Sequence, residues 1–270
     1  MGELSTVANV HVIEGRPWKD ALIRVLEPRS PYRPWHFADG IEPGDAVIAV
    51  LDTDPVSVLA GVGIVGPDGD IDGAIAAIDR FRLNGLLELG TLNMLADFVV
   101  RPESGPVYHH RSPDDVVAVI GDYIPSTSDA LFGQSSLAAG RVLLKSRSRC
   151  GGCTRQLDLT GEGARDRVYI HTVDPLPFAM EGRSKSEVAD WPAALCESCH
   201  DTMHRDGFTS FLDYRFSLHP RCPSCSAQRS MSAMYGMPSG PVEEPWIAVM
   251  GCVVIEPRKQ WVCEACDHKW

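Results

Sequence analysis

The stretch Cys196-Glu-Ser-Cys199-His200-Asp-Thr-Met-His204 decides how this chain is organised. It contains one of four Cys-x-x-Cys pairs, which begin at Cys150, Cys196, Cys222 and Cys263. A two-residue gap lets one tight turn present two thiolates to one zinc ion, and two such turns complete a tetrahedral site. Disulfide frameworks rarely repeat one spacing four times, so we expect two structural zinc ions and a reducing compartment.

The eight paired cysteines can combine sequentially or in interleaved order, and the contents of the gaps favour the sequential order. The first zinc site then uses Cys150, Cys153, Cys196 and Cys199, and the second uses Cys222, Cys225, Cys263 and Cys266. The ninth cysteine, Cys252, lies in an apolar run and is predicted to be a buried small side chain.

Composition places the chain among ordinary globular proteins. Its 270 residues are 44% hydrophobic and 23% charged, which excludes a fibrous or wholly disordered chain and indicates two or three domains. The N-terminus lacks the features of a secretory signal, and no run approaches the roughly 20 apolar residues of a membrane span. We therefore expect a cytoplasmic protein without a membrane partner.

The acidic excess lies entirely in the first half of the chain. Residues 1–140 contain 9 Lys and Arg against 20 Asp and Glu, whereas residues 141–270 contain 16 of each, for a net charge of -11. This balance argues against a generic basic coat for nucleic acid. The range 141–167 is locally basic, and a DNA-binding interpretation of the chain assigns the backbone phosphates to it.

The first half has the pattern of an α+β unit. Apolar runs at 45–52 and 58–65, separated by Thr53-Asp54-Pro55, predict two strands joined by a turn. Helical spacing continues over 71–83, and Pro113 is a plausible start for a helix through 116–120. The Ser-, Ala- and Gly-rich range 126–140 is the predicted domain boundary.

Three histidines accompany the first predicted zinc site. Between its two cysteine pairs lies Arg167-Val-Tyr-Ile-His171, a β-like run that ends in histidine. His200 and His204 are four residues apart, so a helix beginning near Cys196 places both imidazoles on one face. An isolated histidine pair is more often solvated than functional, but the adjoining cysteine pair favours a functional role for these two histidines.

Over residues 149–205 this combination resembles the HNH, or ββα-metal, nucleases in the version held together by a four-cysteine zinc. The resemblance implies that His171 is the general base that activates water. It also implies that His200 and His204 bind a catalytic divalent cation, which would be Mg²⁺, Mn²⁺ or Ni²⁺. Neutral imidazole accepts a proton near pH 7, and a cation stabilises charge developing on the phosphate.

Two positions depart from the HNH pattern. The family commonly has Asp or His before the base, where this chain has Ile170, and no asparagine occurs near 190–192. Asp174 is a substitute metal ligand or an ordinary turn former before Pro175. Asp190 is a substitute for the loop-bridging asparagine. These departures leave open a non-catalytic, zinc-containing DNA-binding or regulatory protein.

The second predicted zinc site resembles a zinc ribbon. Arg221-Cys-Pro-Ser-Cys225 and Trp261-Val-Cys263 begin its two knuckles, and residues 246–255 between them read as strand. A unit of about fifty residues has a small core, so the metal supplies much of its folding free energy. The ribbon is either a structural cap or an appendage that contacts DNA or docks a partner.

The segment Trp35-His-Phe-Ala-Asp-Gly-Ile-Glu-Pro-Gly-Asp45 resembles the entry to a PUA-like β-barrel of the EVE or ASCH type. Some members of that group hold a modified base between aromatic side chains. The resemblance implies base reading by Trp18, Tyr32, Trp35 and Phe37, although each of these aromatics is equally compatible with core packing. Base flipping needs stacking faces more than overall positive charge.

Together these features predict an α+β protein of three domains. They are a PUA-like β-barrel with helices (1–135), a ββα-metal nuclease domain (141–212) and a β-rich zinc ribbon (213–270). The expected function is restriction of double-stranded DNA that carries a modified base, such as modified cytosine, in a prokaryotic cytoplasm. The resemblance also implies a homodimer. A further alternative keeps the nuclease but makes the acidic half a sensor of protein or small molecules.

Overall fold

The computed structural model describes residues 9–76, 78, 85–95, 100–101, 105–108, 120, 128–175, 188–238, 242–252 and 258–270. The strands are β1 (Val10–Gly15), β2 (Trp35–His36), β3 (Ala46–Leu51), β4 (Ser57–Leu59), β5 (Gly63–Ile64), β6 (Leu86–Glu88), β7 (Gly105–Tyr108), β8 (Val168–His171), β9 (Ala193–Cys196), β10 (Ser230–Met234), β11 (Ile247–Val249) and β12 (Trp261–Cys263). The helices are α1 (Trp18–Leu26), α2 (Ile71–Ala76), α3 (Leu89–Leu95), α4 (Ser136–Lys145), α5 (Ala164–Arg167), α6 (Glu197–Arg205) and α7 (Phe211–Ser217), with a 3₁₀ turn at Ser128–Leu131.

The first half is built on the parallel pair β1 and β3, which α1 connects. Both strands are almost wholly buried and mostly apolar, with His11 and Glu14 as the polar residues of β1, as expected when a parallel pair lies inside a sheet. The sheet order is β2-β1-β3-β4-β6, with β5 on β3 and β7 on β1. The α+β class is thus confirmed, but the predicted closed barrel is not: within the described residues, the edge strands β2 and β7 do not pair with β6.

The predicted strand at 58–65 forms as two short strands, β4 and β5. Both pair antiparallel with β3, and the chain bends between them at Gly61. Gly61 has φ +140°, and a Cβ there would lie 2.4 Å from Cγ2 of Ile78. Only glycine fits this bend without strain. Of the helix predicted over 71–83, the described part is α2, and the helix start predicted at Pro113 lies outside the described residues.

The second half begins with α4, whose N-cap Ser135 accepts a hydrogen bond from the Ala138 amide (3.1 Å). This helix contacts α1 and β6 on one side and β8 and β9 on the other. A single core of buried side chains therefore extends from Ile13 and Leu22 to Phe211. The described part of the predicted boundary, residues 128–140, lies within this packed region, and the three-domain division stays a prediction.

Around the predicted nuclease site, the chain runs β8, β9, α6. The two strands are antiparallel, with His171 opposite Ala193, and α6 starts directly after β9. The C-terminal residues add a separate three-stranded sheet in the order β11-β10-β12. Of the strand predicted over 246–255, the structure forms β11, and residues 253–257 lie outside the described residues.

A buried carboxylate, Asp45, joins the starts of β1 and β3. It accepts hydrogen bonds from the amides of Asn9 and Glu42 and pairs with Nε2 of His11, each at 2.9 Å. Burial opposes ionisation of Asp45, but these hydrogen bonds outweigh it and lower its pKa. Asp45 is therefore an anion that the fold needs near neutral pH.

We expect Asp45→Ala to lower the free energy of unfolding by about 3 kcal/mol, because it leaves His11 and two amides without their buried partner. Urea denaturation at pH 7 in zinc-containing buffer measures the loss. The exposed Asp39 provides the matched control, and Asp39→Ala should change stability by less than about 0.5 kcal/mol. Equal stability of the two variants would contradict the assigned role of Asp45.

Candidate metal centres and the His171 site

The first cysteine cluster joins the turn after α4 to the start of α6. Sulfur atoms of Cys150, Cys153, Cys196 and Cys199 all lie within 4.8 Å of one another. The Cys153 and Cys196 sulfurs are 3.9 Å apart. Zinc–sulfur bonds of about 2.3 Å place the sulfurs of a tetrahedral site roughly 3.8 Å apart. The donor set and the spacing therefore both fit a structural zinc ion.

The second cluster lies at one end of the C-terminal sheet, where Ser230 of β10 pairs with Cys263 of β12. Its ligands are Cys222, Cys225, Cys263 and Cys266, again within 4.8 Å, with two sulfur pairs at 3.7 and 3.6 Å. These clusters confirm the sequential pairing of the cysteines. Cys252 belongs to neither cluster, and the prediction that it is buried is wrong because its side chain is exposed.

Three of the four cysteine pairs share one backbone conformation. In each, the amide after the second cysteine donates to the carbonyl of the first cysteine, at 2.9 to 3.0 Å. The first cysteine's amide donates in turn to the carbonyl two residues after the pair. The residues that follow the second cysteine, Thr154, Ser226 and Asp267, have a left-handed backbone conformation, with φ between 56° and 62°. The fourth pair differs because Cys196 is the N-cap of α6.

The surroundings of the first cluster give its thiols different pKa values. Burial raises the pKa of Cys150 to about 12. Burial also opposes ionisation of Cys153, but hydrogen bonds from Arg155 and from neighbouring cysteines lower its pKa to about 6. Four thiols this close, two of them buried, can ionise together only if a cation neutralises them, so metal binding would release protons.

His171 ends β8 and is held by Asp190. Its Nε2 lies 2.8 Å from Oδ2 of Asp190, and both side chains are about one-fifth exposed. Burial opposes ionisation of Asp190, but the hydrogen bonds from His171 and from the amides of Trp191 and Leu212 lower its pKa. An ionised carboxylate only accepts, so Nε2 of His171 carries the proton and Nδ1 is left as a base.

Asp190 also connects three parts of the chain. Its Oδ1 accepts hydrogen bonds from the Trp191 amide (2.7 Å), the Ser210 hydroxyl (3.0 Å) and the Leu212 amide (3.2 Å). Ser210 is the N-cap of α7, so Asp190 links β8, the start of β9 and α7. These bonds are of the bridging kind expected for Asp190 from the HNH resemblance.

The predicted cation ligands lie on and near α6 but do not all converge. The rings of His200 and His204 are 4.5 Å apart, and His200 stacks on Tyr169 of β8 with a centroid distance of 3.8 Å. Asp174 is exposed. In the described part of the chain, only the two cysteine clusters bring three or more candidate ligand atoms together. Tyr169 was not predicted, although it lies two residues before His171 and therefore on the same strand face.

Two of the four predicted base-reading aromatics line a cleft of about 270 Å³. Trp35 and Phe37 form it together with Arg33, Asp70 and Asp72, and Phe37 is 49% exposed. The indole N–H of Trp35 and Oδ1 of Asp72 are buried without a partner within the described structure. Trp18 and Tyr32 pack against the core, as does part of Trp35, and the Tyr32 hydroxyl accepts a hydrogen bond from the Arg165 amide at 3.1 Å.

The basic range 141–167 is largely engaged within the protein. Arg141 donates to the carbonyls of Leu86 and Ala130, Lys145 pairs with Glu243, Arg165 with Asp20 and Arg167 with Asp158. Arg149 is exposed next to the first cysteine cluster. The range therefore presents less cationic surface to a phosphate backbone than its composition indicates.

No helix among the described residues combines the length and apolar character needed to cross a bilayer. Compared with known proteins, the chain matches no family model, no curated protein and no solved structure.

Proposed function

We propose that this chain is a metal-dependent DNA endonuclease of the HNH type, which hydrolyses phosphodiester bonds in double-stranded DNA. The observation that carries the proposal is His171, held by Asp190 at the end of β8 in a β8-β9-α6 unit that the first cysteine cluster closes. The order strand, strand, helix and the positions of the three histidines are those expected from the HNH resemblance.

In this proposal His171 is the general base. Asp190 orients the ring and keeps the proton on Nε2, so Nδ1 takes a proton from the attacking water. Within the described residues, Nδ1 of His171 has no hydrogen-bond partner that competes for this role. Such a base contributes about 10²- to 10⁴-fold to a rate.

A divalent cation would be held by His200 and His204, which offer two neighbouring nitrogen ligands. The pair fits a cation that takes its remaining ligands from substrate oxygens and water. Such a cation stabilises negative charge on the phosphate and the leaving oxygen. Imidazole ligands favour Mn²⁺ and Ni²⁺ over Mg²⁺, so we expect the first two metals to support more activity.

For specificity, the proposal assigns a modified base, such as modified cytosine, to the cleft at Trp35 and Phe37. The aromatic rings offer stacking faces, and Asp70 and Asp72 offer acceptors for base N–H groups. The zinc ribbon then caps the nuclease unit, because Trp246 packs against Trp191 and Phe211. The proposal also includes a homodimer, so that two chains can cleave the two DNA strands. It places this homodimer in a prokaryotic cytoplasm.

The full chain, loaded with two zinc ions, should nick supercoiled plasmid when Mn²⁺ or Ni²⁺ is added, and more slowly in Mg²⁺. Gel electrophoresis of the open-circular product measures the reaction. Plasmid bound in a mobility-shift assay but left intact in all three metals would instead favour the non-catalytic DNA-binding protein, a reading that Ile170 and the two-histidine ligand set support.

The same assay on DNA with and without modified cytosine tests whether the cleft at Trp35 and Phe37 recognises a modified base. Phe37→Ala should reduce the preference for modified DNA by about tenfold, since base–aromatic stacking contributes about 1–3 kcal/mol. Ile64→Ala is the matched control because Ile64 is 50% exposed in the same half of the chain and lies outside the cleft. Cleavage that ignores modification would favour a sensor of another ligand in the acidic half.

A further inference from the structure

A second cavity, of about 370 Å³, lies between α4, the first cysteine cluster and the segment that leads into β11. Its volume falls in the range of about 300–1,000 Å³ that is typical of ligand pockets. The cavity is on the edge of β9 that faces Gly151, whose amide donates to the Ala194 carbonyl at 2.8 Å. The strand of His171, β8, occupies the other edge of β9.

Two tryptophans form much of the apolar wall of this cavity. Trp191 and Trp246 meet edge to face, with ring centroids 6.1 Å apart and planes at 87°. Flat aromatic rings of this kind bind other planar rings by stacking or edge-to-face contact. The wall therefore fits a planar, largely apolar group better than a flexible chain.

Arg215 provides a buried hydrogen-bond donor at the same cavity. Its Nη1 donates to the Gly152 carbonyl at 2.8 Å, but its Nε is buried and has no partner in the described structure. Desolvation by burial lowers the pKa of this guanidinium, and the nearby thiols of the first cluster oppose that effect. Because this atom is closed off from the cavity, the cost of about 1–3 kcal/mol for a buried, unpaired donor falls on the fold.

The rim of the cavity is cationic. The lining holds Lys145, Arg149 and Arg215 against one carboxylate, Glu244. Lys145 is already paired with Glu243 at 2.9 Å, whereas Arg149 is exposed and the one hydrogen bond described for its side chain is a long one, 3.4 Å, to the Thr154 carbonyl. Arginine is well suited to bind phosphate oxygens with two N–H groups.

We propose that this cavity binds a nucleotide. The base lies against the wall that Trp191 and Trp246 form, and the phosphate lies at Arg149. The ligand is either a free nucleotide or one nucleotide of a single strand, since both offer the same base and phosphate. The site is separate from His171 and does not depend on the proposed cleavage reaction.

Isothermal titration of the zinc-loaded full chain without added divalent metal tests this proposal. The probes are dCMP, dAMP, the two matching deoxynucleosides, inorganic phosphate and a short single-stranded oligonucleotide. We expect either nucleotide to bind about tenfold more tightly than its nucleoside, and phosphate alone not to bind. An oligonucleotide that competes with dCMP would identify a strand as an additional source of the ligand.

Two variants assign the binding to the cavity. Arg149→Ala should abolish the difference between nucleotide and nucleoside, and Thr154→Phe at the exposed rim should weaken both by at least about tenfold. Arg205→Ala removes an exposed cation elsewhere and should change neither. Zinc content and circular dichroism check that each variant folds. No heat with either nucleotide at millimolar concentration, or dCMP affinity unchanged in both cavity variants, would overturn the proposal.

Discussion

Replacing Cys222 with serine is expected to reduce the zinc content from two ions per chain to one and to unfold the C-terminal sheet. The sheet consists of three short strands, and its buried side chains include the cluster residues Cys222 and Cys263. So small a core contributes little stability, whereas structural zinc binding contributes about 10–16 kcal/mol in comparable small units at neutral pH. The metal therefore supplies most of the free energy that folds this part of the chain.

Elemental analysis of the purified variant measures the zinc content, and limited proteolysis locates the unfolded region. Proteolytic cleavage should be confined to residues after position 222, where the second cluster begins, because the fully buried side chains of the larger core end with α7. Cys252→Ser is the matched control, since Cys252 is exposed and belongs to neither cluster. Two zinc ions in Cys222→Ser, or the loss of one in Cys252→Ser, would contradict the assignment of the second site.

The corresponding change in the first cluster should have a wider effect. Cys150 and Cys199 are part of the core that extends into the N-terminal sheet. Without zinc, the four cysteines share no ligand that holds the turn after α4 to the start of α6, and both segments belong to this core. We therefore expect Cys150→Ser to destabilise the whole chain, in contrast to the local effect of Cys222→Ser.

His171→Ala should reduce plasmid nicking in Mn²⁺ by about 10²- to 10⁴-fold, which is the usual contribution of a general base. The variant should keep two zinc ions per chain, because His171 belongs to neither cysteine cluster, and circular dichroism checks that it folds. His268→Ala is the matched control: His268 is exposed and stacks on Trp270 in the C-terminal unit. It should nick at the rate of the unmodified chain.

A chemical test separates a base from a structural role. Imidazole added to His171→Ala should restore part of the activity, because a diffusing base can enter the space that the side chain vacates. Asp190→Asn should lower nicking by about 10²-fold, since an amide no longer selects the tautomer with the proton on Nε2. Equal nicking by the unmodified chain and His171→Ala would rule out His171 as the base.

The cysteine clusters were predictable because zinc coordination requires a particular residue type at a short, fixed spacing in the sequence. Each Cys-x-x-Cys pair is formed by a few neighbouring residues, and the gaps of 42 and 37 residues favoured the sequential order that the structure confirms. The strand at 45–52 was predicted for a similar reason, since an uninterrupted apolar run of this length is typical of a buried strand.

Sheet closure could not be predicted in the same way. One turn and two apolar runs suggested a barrel, but strands β1 and β3 pair in parallel across 30 intervening residues, and the sheet stays open within the described structure. Whether two strands pair in parallel or antiparallel depends on the path of the connection between them, here through α1. The apolar pattern of a single strand does not predict that path. The positions of the aromatic residues depend on packing for a similar reason: Trp35 and Phe37 line a cleft, while Trp18, Tyr32 and part of Trp35 pack against the core.

By itself, the sequence determined the ligands of both metal centres, the helix that carries His200 and His204, and the mixed α and β character of the chain. These properties depend on residue type and short spacing, which govern zinc coordination and local backbone geometry. Only the tertiary structure decided that Asp190 holds His171, that Tyr169 stacks on His200, and that two tryptophans enclose a cavity beside Arg215. Each of these contacts joins side chains from different elements, and their distances are set by how the elements pack around the shared core.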